Sequence, residues 1–261
     1  MKWHIQSAGP KSDYQLVWFH GFMGSSKDWL GEISSPFSDY TNIYVDLPGH
    51  GQSRLMGTET YQALLTGLKD QLLQLNAKKT ILIGYSMGGR VALHFQHLFP
   101  EWVHAFVGLS TAPGLRSQEE REQRQAADEG LIHKLREQGF EKFLQLWYGL
   151  PLFHTIKNHP ELLRSLTQSR ANNDPEQLGL ALKALGNGAL PSLWPNLEQL
   201  NIPTLLGCGS EDSKYGKITD EMQLQLPLAE TFTISGASHA FHLEKPLETA
   251  AAIRHFLSNT I

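Results

Sequence analysis

With a single cysteine, Cys208, in 261 residues, no intrachain disulfide can staple this fold, and the chain suits a reducing compartment. An excess of positive charge is missing too. The formal net charge is −4, which argues against a general nucleic-acid or membrane-surface binder. Any anionic ligand must then be met by local cations. No apolar run approaches the ~18–20 residues needed to span a bilayer, and the opening MKWHIQSAGP lacks the apolar segment of a secretory signal. A soluble cytoplasmic protein, without nucleic-acid or membrane partners, is the expectation. G-x-G-x-x-G, the P-loop and H-E-x-x-H are all absent, so neither a nucleotide nor a metal is indicated.

What is present is an alternation of short apolar runs and longer helical patterns, in a chain long enough for one α/β domain with a substantial core. QLVWFHG (15–21) and NIYVDLPG (42–49) read as buried strands that end in turn-forming residues. Residues 59–76 place Leu64, Leu65, Leu68, Leu72 and Leu75 on one helical face. TILIG (80–84) reads as a strand, SMGGRVALHFQHLF (86–99) as a helix and VHAFVGLS (103–110) as a strand. Two further strands follow at 202–209 and 229–235, then a helix at 246–258. This rhythm implies a mostly parallel, doubly wound sheet. Residues 114–190 carry no strand pattern, only Leu-rich and charged helical stretches. With strands on both sides, they read as a helical insertion in one domain whose core is 1–113 and 191–261.

The chemistry centres on GYSMG, residues 84–88. Between a strand and a helix, G-x-S-x-G makes a sharp turn that exposes the serine hydroxyl at the sheet edge, and larger flanking residues would clash there. A hydroxyl is a poor nucleophile or base until an imidazole takes its proton. On this architecture the partners follow in the order Ser, acid, His. Asp212 is the better acid, because its loop faces the same sheet edge as Ser86, with Glu211 as the fallback. His239 is the first histidine after the last strand and is assigned as the base; His242 reads as a histidine satisfied by packing or water. His239 activates Ser86 while Asp212 sets the imidazole tautomer. The oxyanion donors are expected at the backbone N–H of Met87 and, from the FHGFMGSS loop, of Phe22. His20 reads as a loop organiser.

GYSMGGR, together with HGFMGSSKDW (20–29) and YVDLPGHGQS (44–53), resembles the α/β-hydrolase superfamily. Within it, the chain most resembles the 2-succinyl-6-hydroxy-2,4-cyclohexadiene-1-carboxylate synthases of menaquinone biosynthesis. REQRQ (121–125), WY (147–148), SRANND (169–174) and CGSEDSKY (208–215) extend the likeness over nearly the whole chain. Ser238 departs from it, since the family more often has glycine there. The resemblance implies an α/β-hydrolase fold in which 114–190 caps the sheet edge. It also implies proton removal beside a succinyl ketone and expulsion of pyruvate, with Ser86 as base and no metal or organic cofactor.

The implied substrate is a small tricarboxylate, acted on by a monomer. Guanidinium forks bind carboxylates through two parallel bonds that lysine cannot reproduce. Arg90 on the elbow helix, and Arg124 and Arg170 on the insertion, are therefore the expected anchors, with Arg121 as a substitute for Arg124. Exposed helical arginines commonly pair with a carboxylate, and Glu120 stands at helical spacing for Arg124. Tyr85 and Trp147 are expected to line the pocket, although aromatics serve a core equally well. An esterase or carbon–carbon-bond hydrolase with the same triad is the competing reading. A non-catalytic binder should have lost part of the triad, and all three residue types are here.

Overall fold

The computed structural model describes residues 2–75 and 79–261. Its seven strands are β1 (Ile5–Ala8), β2 (Tyr14–Phe19), β3 (Thr41–Val45), β4 (Lys79–Tyr85), β5 (Val103–Leu109), β6 (Thr204–Gly209) and β7 (Ala229–Ile234). They form one sheet in the order β1-β3-β2-β4-β5-β6-β7. Every neighbouring pair is parallel except β1 with β3. The helices are α1 (Tyr61–Leu73), α2 (Met87–Leu98), α3 (Gln118–Tyr148), α4 (Pro160–Arg170), α5 (Pro175–Leu185), α6 (Ser213–Gln223), α7 (Phe241–Glu244) and α8 (Pro246–Thr260).

The period-two alternation of each strand divides the core between the two faces of the sheet. Val17, Phe19, Ile43, Val45, Leu82 and Phe106 pack with the leucines of α1 and with Val91, Leu93 and Phe95 of α2. Leu16, Trp18, Tyr44, Ile81, Ile83 and Val107 face the other way, onto Trp29, Phe37 and the Ile253, Phe256 and Leu257 ridge of α8. Both faces are covered, so the central strands are largely apolar on both, and the buried Gln15 of β2 donates to Thr80 Oγ1 of β4 at 2.7 Å. Cys208, on β6, is buried, and burial pushes its thiol pKa up.

Between β5 and β6 the described chain contains helices α3 to α5 and short 3-10 turns at Pro151–Phe153 and Ile156–Asn158, with no strand. Ser117 and Glu120 form a reciprocal capping box that starts α3. Gly139, at φ 72° and ψ 167°, breaks α3 part-way. Ile132, Leu135, Phe143 and Leu144 of α3 meet Leu178 and Leu182 of α5 in a small core that Met23, from the loop after β2, also joins.

Two expected strands end earlier than their apolar runs suggest, at Phe19 and Val45, because the glycine- and proline-bearing residues beyond them turn away. Strand β1 carries no hydrophobic signal. It is an edge strand that exposes Gln6, Ser7 and Ala8, so nothing in its pattern separates it from a loop. The helix expected over 59–76 forms at Tyr61–Leu73, and Asn76 lies outside the described residues. No helix among the described residues is long and apolar enough to cross a membrane.

Two glycines make opposite predictions for stability. A Cβ on Gly88 would lie 2.3 Å from the His20 carbonyl oxygen and 2.4 Å from that of Phe19, both rigid backbone. Gly88→Ala should therefore destabilise by about 1–3 kcal/mol or prevent folding. Gly130, exposed within α3, would meet nothing within 4 Å, and Gly130→Ala should stabilise by roughly 0.5–1 kcal/mol. Urea unfolding of the two variants reads both signs.

Candidate active site

Because β2, β4, β6 and β7 run the same way, the residues that follow them emerge at one edge of the sheet. Ser86 follows β4 at φ 51° and ψ −112°, a conformation L-residues rarely adopt. It is held there by its N–H, which donates to Leu109 O at 2.8 Å, and by its carbonyl, which accepts from Thr111 Oγ1 at 3.0 Å. The turn is possible because side chains are missing around it. A Cβ on Gly84 would come within 2.5 Å of Gly89 Cα.

His239 Nε2 stands 2.9 Å from Ser86 Oγ, and His239 Nδ1 stands 2.7 Å from Asp212 Oδ2. With the proton on Nδ1, the imidazole donates to the carboxylate and offers Nε2 to the hydroxyl. Asp212 keeps its own orientation by capping α6, its Oδ1 accepting the Tyr215 N–H at 3.1 Å. Burial lowers the His239 pKa; the hydrogen bond and charge of Asp212 oppose this without cancelling it. The lowered pKa favours the neutral ring near pH 7, the form a general base must have. Glu211, the alternative acid, is exposed and faces His154 at 3.8 Å.

His20 bridges the loop beneath the site. Its Nε2 accepts the Leu47 N–H at 2.9 Å, and its Nδ1 donates to Gly21 O at 2.7 Å. This is an organising role, in keeping with the sequence reading. His242, on α7, is buried between Trp29 and Tyr85, with ring centroids 5.1 and 4.1 Å away. Its Nδ1 has no hydrogen-bond partner among the described residues.

A cleft of about 340 Å³ opens over Ser86 and His239. Phe22, Tyr85, Met87, Arg90, Arg124, Trp147 and Arg170 all reach its wall, whereas Arg121 does not. Trp147 also packs against Phe22, Phe143 and Phe153, so it lines the pocket and closes the core of the helical block at once. Met87 is the first residue of α2, where a backbone N–H has no intrahelical acceptor. A larger neighbouring cleft of about 500 Å³ between α3 and α5 contains no serine, cysteine or histidine.

Each arginine is tethered, and two of the tethers differ from expectation. Arg90 is buried, and its Nε donates to Asn187 Oδ1 at 2.9 Å. Arg124 pairs with Asp128, Nε to Oδ1 at 2.7 Å, and not with Glu120, which is engaged in the capping box. Burial raises the Asp128 pKa, against the pull of Arg124 and Arg90. Arg170 is less open than an anchor should be. Its Nη1 and Nη2 grip Asp28 Oδ1 and Oδ2 at 2.6 and 2.5 Å. Burial disfavours its charge, but Asp28 and Tyr148 outweigh that and raise its pKa.

The SRANND segment thus clasps the FHGFMGSSKD loop. Arg170 holds Asp28, and Asn173 Nδ2 donates to Met23 O at 2.9 Å. Sequence reasoning missed Lys214, a further cation on the cleft wall two residues beyond Asp212, whose signal was its place in the first turn of α6. It also missed Asn187, Asp128 and Tyr215, which hold or flank the arginines and whose roles depend on distant partners.

A sequence model described as the α/β hydrolase fold matches residues 14–246. A 2-succinyl-6-hydroxy-2,4-cyclohexadiene-1-carboxylate synthase of Yersinia pseudotuberculosis is 33% identical over 258 residues, 98% of this chain and 90% of that protein. An Escherichia coli protein of the same name is 31% identical over 242 residues, 93% of each. The solved structure of MenH from S. aureus matches with a TM-score of 0.92 at 30% identity, over 99% of this chain and 98% of that one. The chain belongs to the 2-succinyl-6-hydroxy-2,4-cyclohexadiene-1-carboxylate synthase family, on the α/β-hydrolase fold.

In this member of the synthase family, Arg170 is buried and Asp28 largely so, with side chains 6% and 10% exposed. Arg170→Ala strands a carboxylate and should cost about 3–5 kcal/mol, measured by urea unfolding. A cost below 1 kcal/mol would show that the pair does not hold the loop.

Five buried histidines, His20, His50, His94, His239 and His242, all have lowered pKa values, mainly through burial. Above pH 6.5 they are neutral both folded and unfolded. Below it the unfolded chain takes up protons that the folded chain refuses, so stability falls with pH. For a group whose folded value lies well below that of the unfolded chain, the loss reaches about 1.4 kcal/mol per pH unit. For His50 and His94 it continues down to their folded values of about 3. Urea unfolding at pH 7 and pH 5 should show the steep decline, and His94→Gln should make it shallower by about one such increment.

Proposed function

We propose that this protein acts in menaquinone biosynthesis as a pyruvate-eliminating synthase, converting 2-succinyl-5-enolpyruvyl-6-hydroxy-3-cyclohexene-1-carboxylate into the cyclohexadiene named by its family. The observation that carries the reading is a connected carboxylate–imidazole–hydroxyl chain opening into a cleft walled by arginines. His239 Nε2 takes the Ser86 proton, and Ser86 Oγ removes the proton from the ring carbon beside the succinyl ketone. The electron pair left behind becomes an enolate, whose oxygen is received by the backbone N–H groups of Phe22 and Met87. Collapse of the enolate shifts the ring double bond and breaks the carbon–oxygen bond to the enolpyruvyl group. Pyruvate leaves as its enolate and collects a proton, the ring is left as a diene, and no acyl-enzyme forms.

Arg90 and Arg124 are assigned to the substrate carboxylates, and Tyr85 and Trp147 to the walls that orient the ring. Arg170 is assigned chiefly to holding the Phe22 loop through Asp28. Residues 114–190 act as the cap that closes over the sheet edge. The reading assigns no step to a metal or cofactor, and one copy of the chain contains every group it uses. A hydrolase of apolar esters would need the same triad but has no use for several cations in its pocket.

The test is a paired assay. The enolpyruvyl substrate should release pyruvate rapidly and Ser86→Ala should abolish this, while a simple activated ester should be cleaved feebly. Arg90→Ala and Arg124→Ala should each lower kcat/KM roughly ten- to hundredfold, the worth of a charged hydrogen bond. Brisk ester cleavage without pyruvate, or wild-type kinetics in both arginine variants, would overturn the reading.

A further inference from the structure

The reaction uses both ring nitrogens of His239, yet the backbone that carries this ring is held by groups the reaction does not employ. Ser238, immediately before it, is wholly buried. Its N–H and its hydroxyl both donate to Glu244 Oε1, at 3.2 Å each. The Ser238 hydroxyl in turn accepts from Thr155 Oγ1 at 2.6 Å. The His239 N–H donates to Leu152 O at 3.2 Å, and the Phe153 ring lies edge-on to the imidazole, centroids 5.8 Å apart. The Glu244 side chain is 0% exposed. Its second oxygen accepts no hydrogen bond and faces His159 Nε2 at 3.8 Å.

A carboxylate withdrawn from water at this cost is retained where its geometry matters. Here the geometry fixes the residue that sets the direction of the catalytic imidazole. Three of its connections, Leu152, Thr155 and His159, belong to one stretch of the helical block. The serine hydroxyl that reaches Thr155 stands where the resemblance leads one to expect glycine, so that link is an addition to the Glu244 contact with the backbone.

We propose that Glu244 is a positioning residue for His239, and that through Ser238 and Thr155 it joins the catalytic loop to residues 151–159 so that the two move as one unit. The proposal rests on the Ser86–His239 reading of the site and is independent of which substrate is turned over.

The experiment therefore reads the activation of Ser86 directly, as the rate at which a fluorophosphonate labels it in the full chain, alongside kcat and KM for pyruvate release. Glu244→Ala should slow labelling and kcat by about ten- to hundredfold, the scale of a small misplacement of a catalytic group, with KM within about threefold. Glu244→Gln keeps an oxygen for the Ser238 N–H and should recover most of the rate. A folded Glu244→Ala that labels within twofold of wild type overturns the positioning role, as does equal loss in Glu244→Gln. Ser238→Ala keeps the N–H bond but cuts the tie to Thr155. It should raise amide exchange across 151–159 while labelling falls less than about threefold, since the imidazole stays aimed. Unchanged exchange overturns the coupling, and this arm decides the matter if Glu244→Ala does not fold. Labelling that behaves as expected in a protein releasing no pyruvate would sink the synthase reading and leave this proposal standing.

Discussion

The site depends on backbone packing against backbone where α2 leaves the sheet. Ser86 can occupy its unfavourable φ and ψ only because Gly88 lies directly on the carbonyls that end β2, and because Gly84 and Gly89 close together behind it. Such a conformation costs of order 1–3 kcal/mol and persists only where its surroundings over-determine it. The same contact that imposes the strain also sets the spacing between the first amide of α2 and the loop after β2. Ser86 and its proposed oxyanion donors are therefore brought into line by one steric fact, which the hydrogen bonds of Ser86 to Leu109 and Thr111 reinforce.

Electrostatically, the molecule does the reverse of what its overall charge suggests. A chain of formal charge −4 gathers Arg90, Arg124, Arg170 and Lys214 around one cleft. Like charges so close would repel and wander. Asn187, Asp128 and Asp28 prevent this by holding each guanidinium by one edge. Orientation is set before any ligand arrives, so less conformational entropy remains to be lost on binding. The tethers also grade the arginines. Arg90 is held by a neutral amide and burial lowers its pKa, while Arg170 is gripped by both carboxylate oxygens of Asp28.

How much of this was legible in the sequence depended on range. Ser86, Asp212 and His239 could be found because each follows a strand, and parallel strands deliver their ends to one edge. Strand β1 could not, because an exposed edge strand needs no apolar pattern. The partner of Arg124 was misjudged because Glu120 is equally suited by spacing to pair or to cap, and the cap claimed it. Asp28 was out of reach altogether, since it lies 142 residues from Arg170 and only the fold brings them together. The arginines themselves were legible through family resemblance, not through helical spacing, which cannot tell a surface cation from one on a pocket wall.

The burial of Cys208 on β6 has a practical side. With its thiol shielded and its pKa raised, the protein shows thiol reagents and oxidants no ready thiolate. It is in effect a native cysteine-free surface. A cysteine placed on α4 and another beside α8 would be the reactive ones. Dyes attached to them would report the distance between the helical block and the sheet while the enzyme turns over.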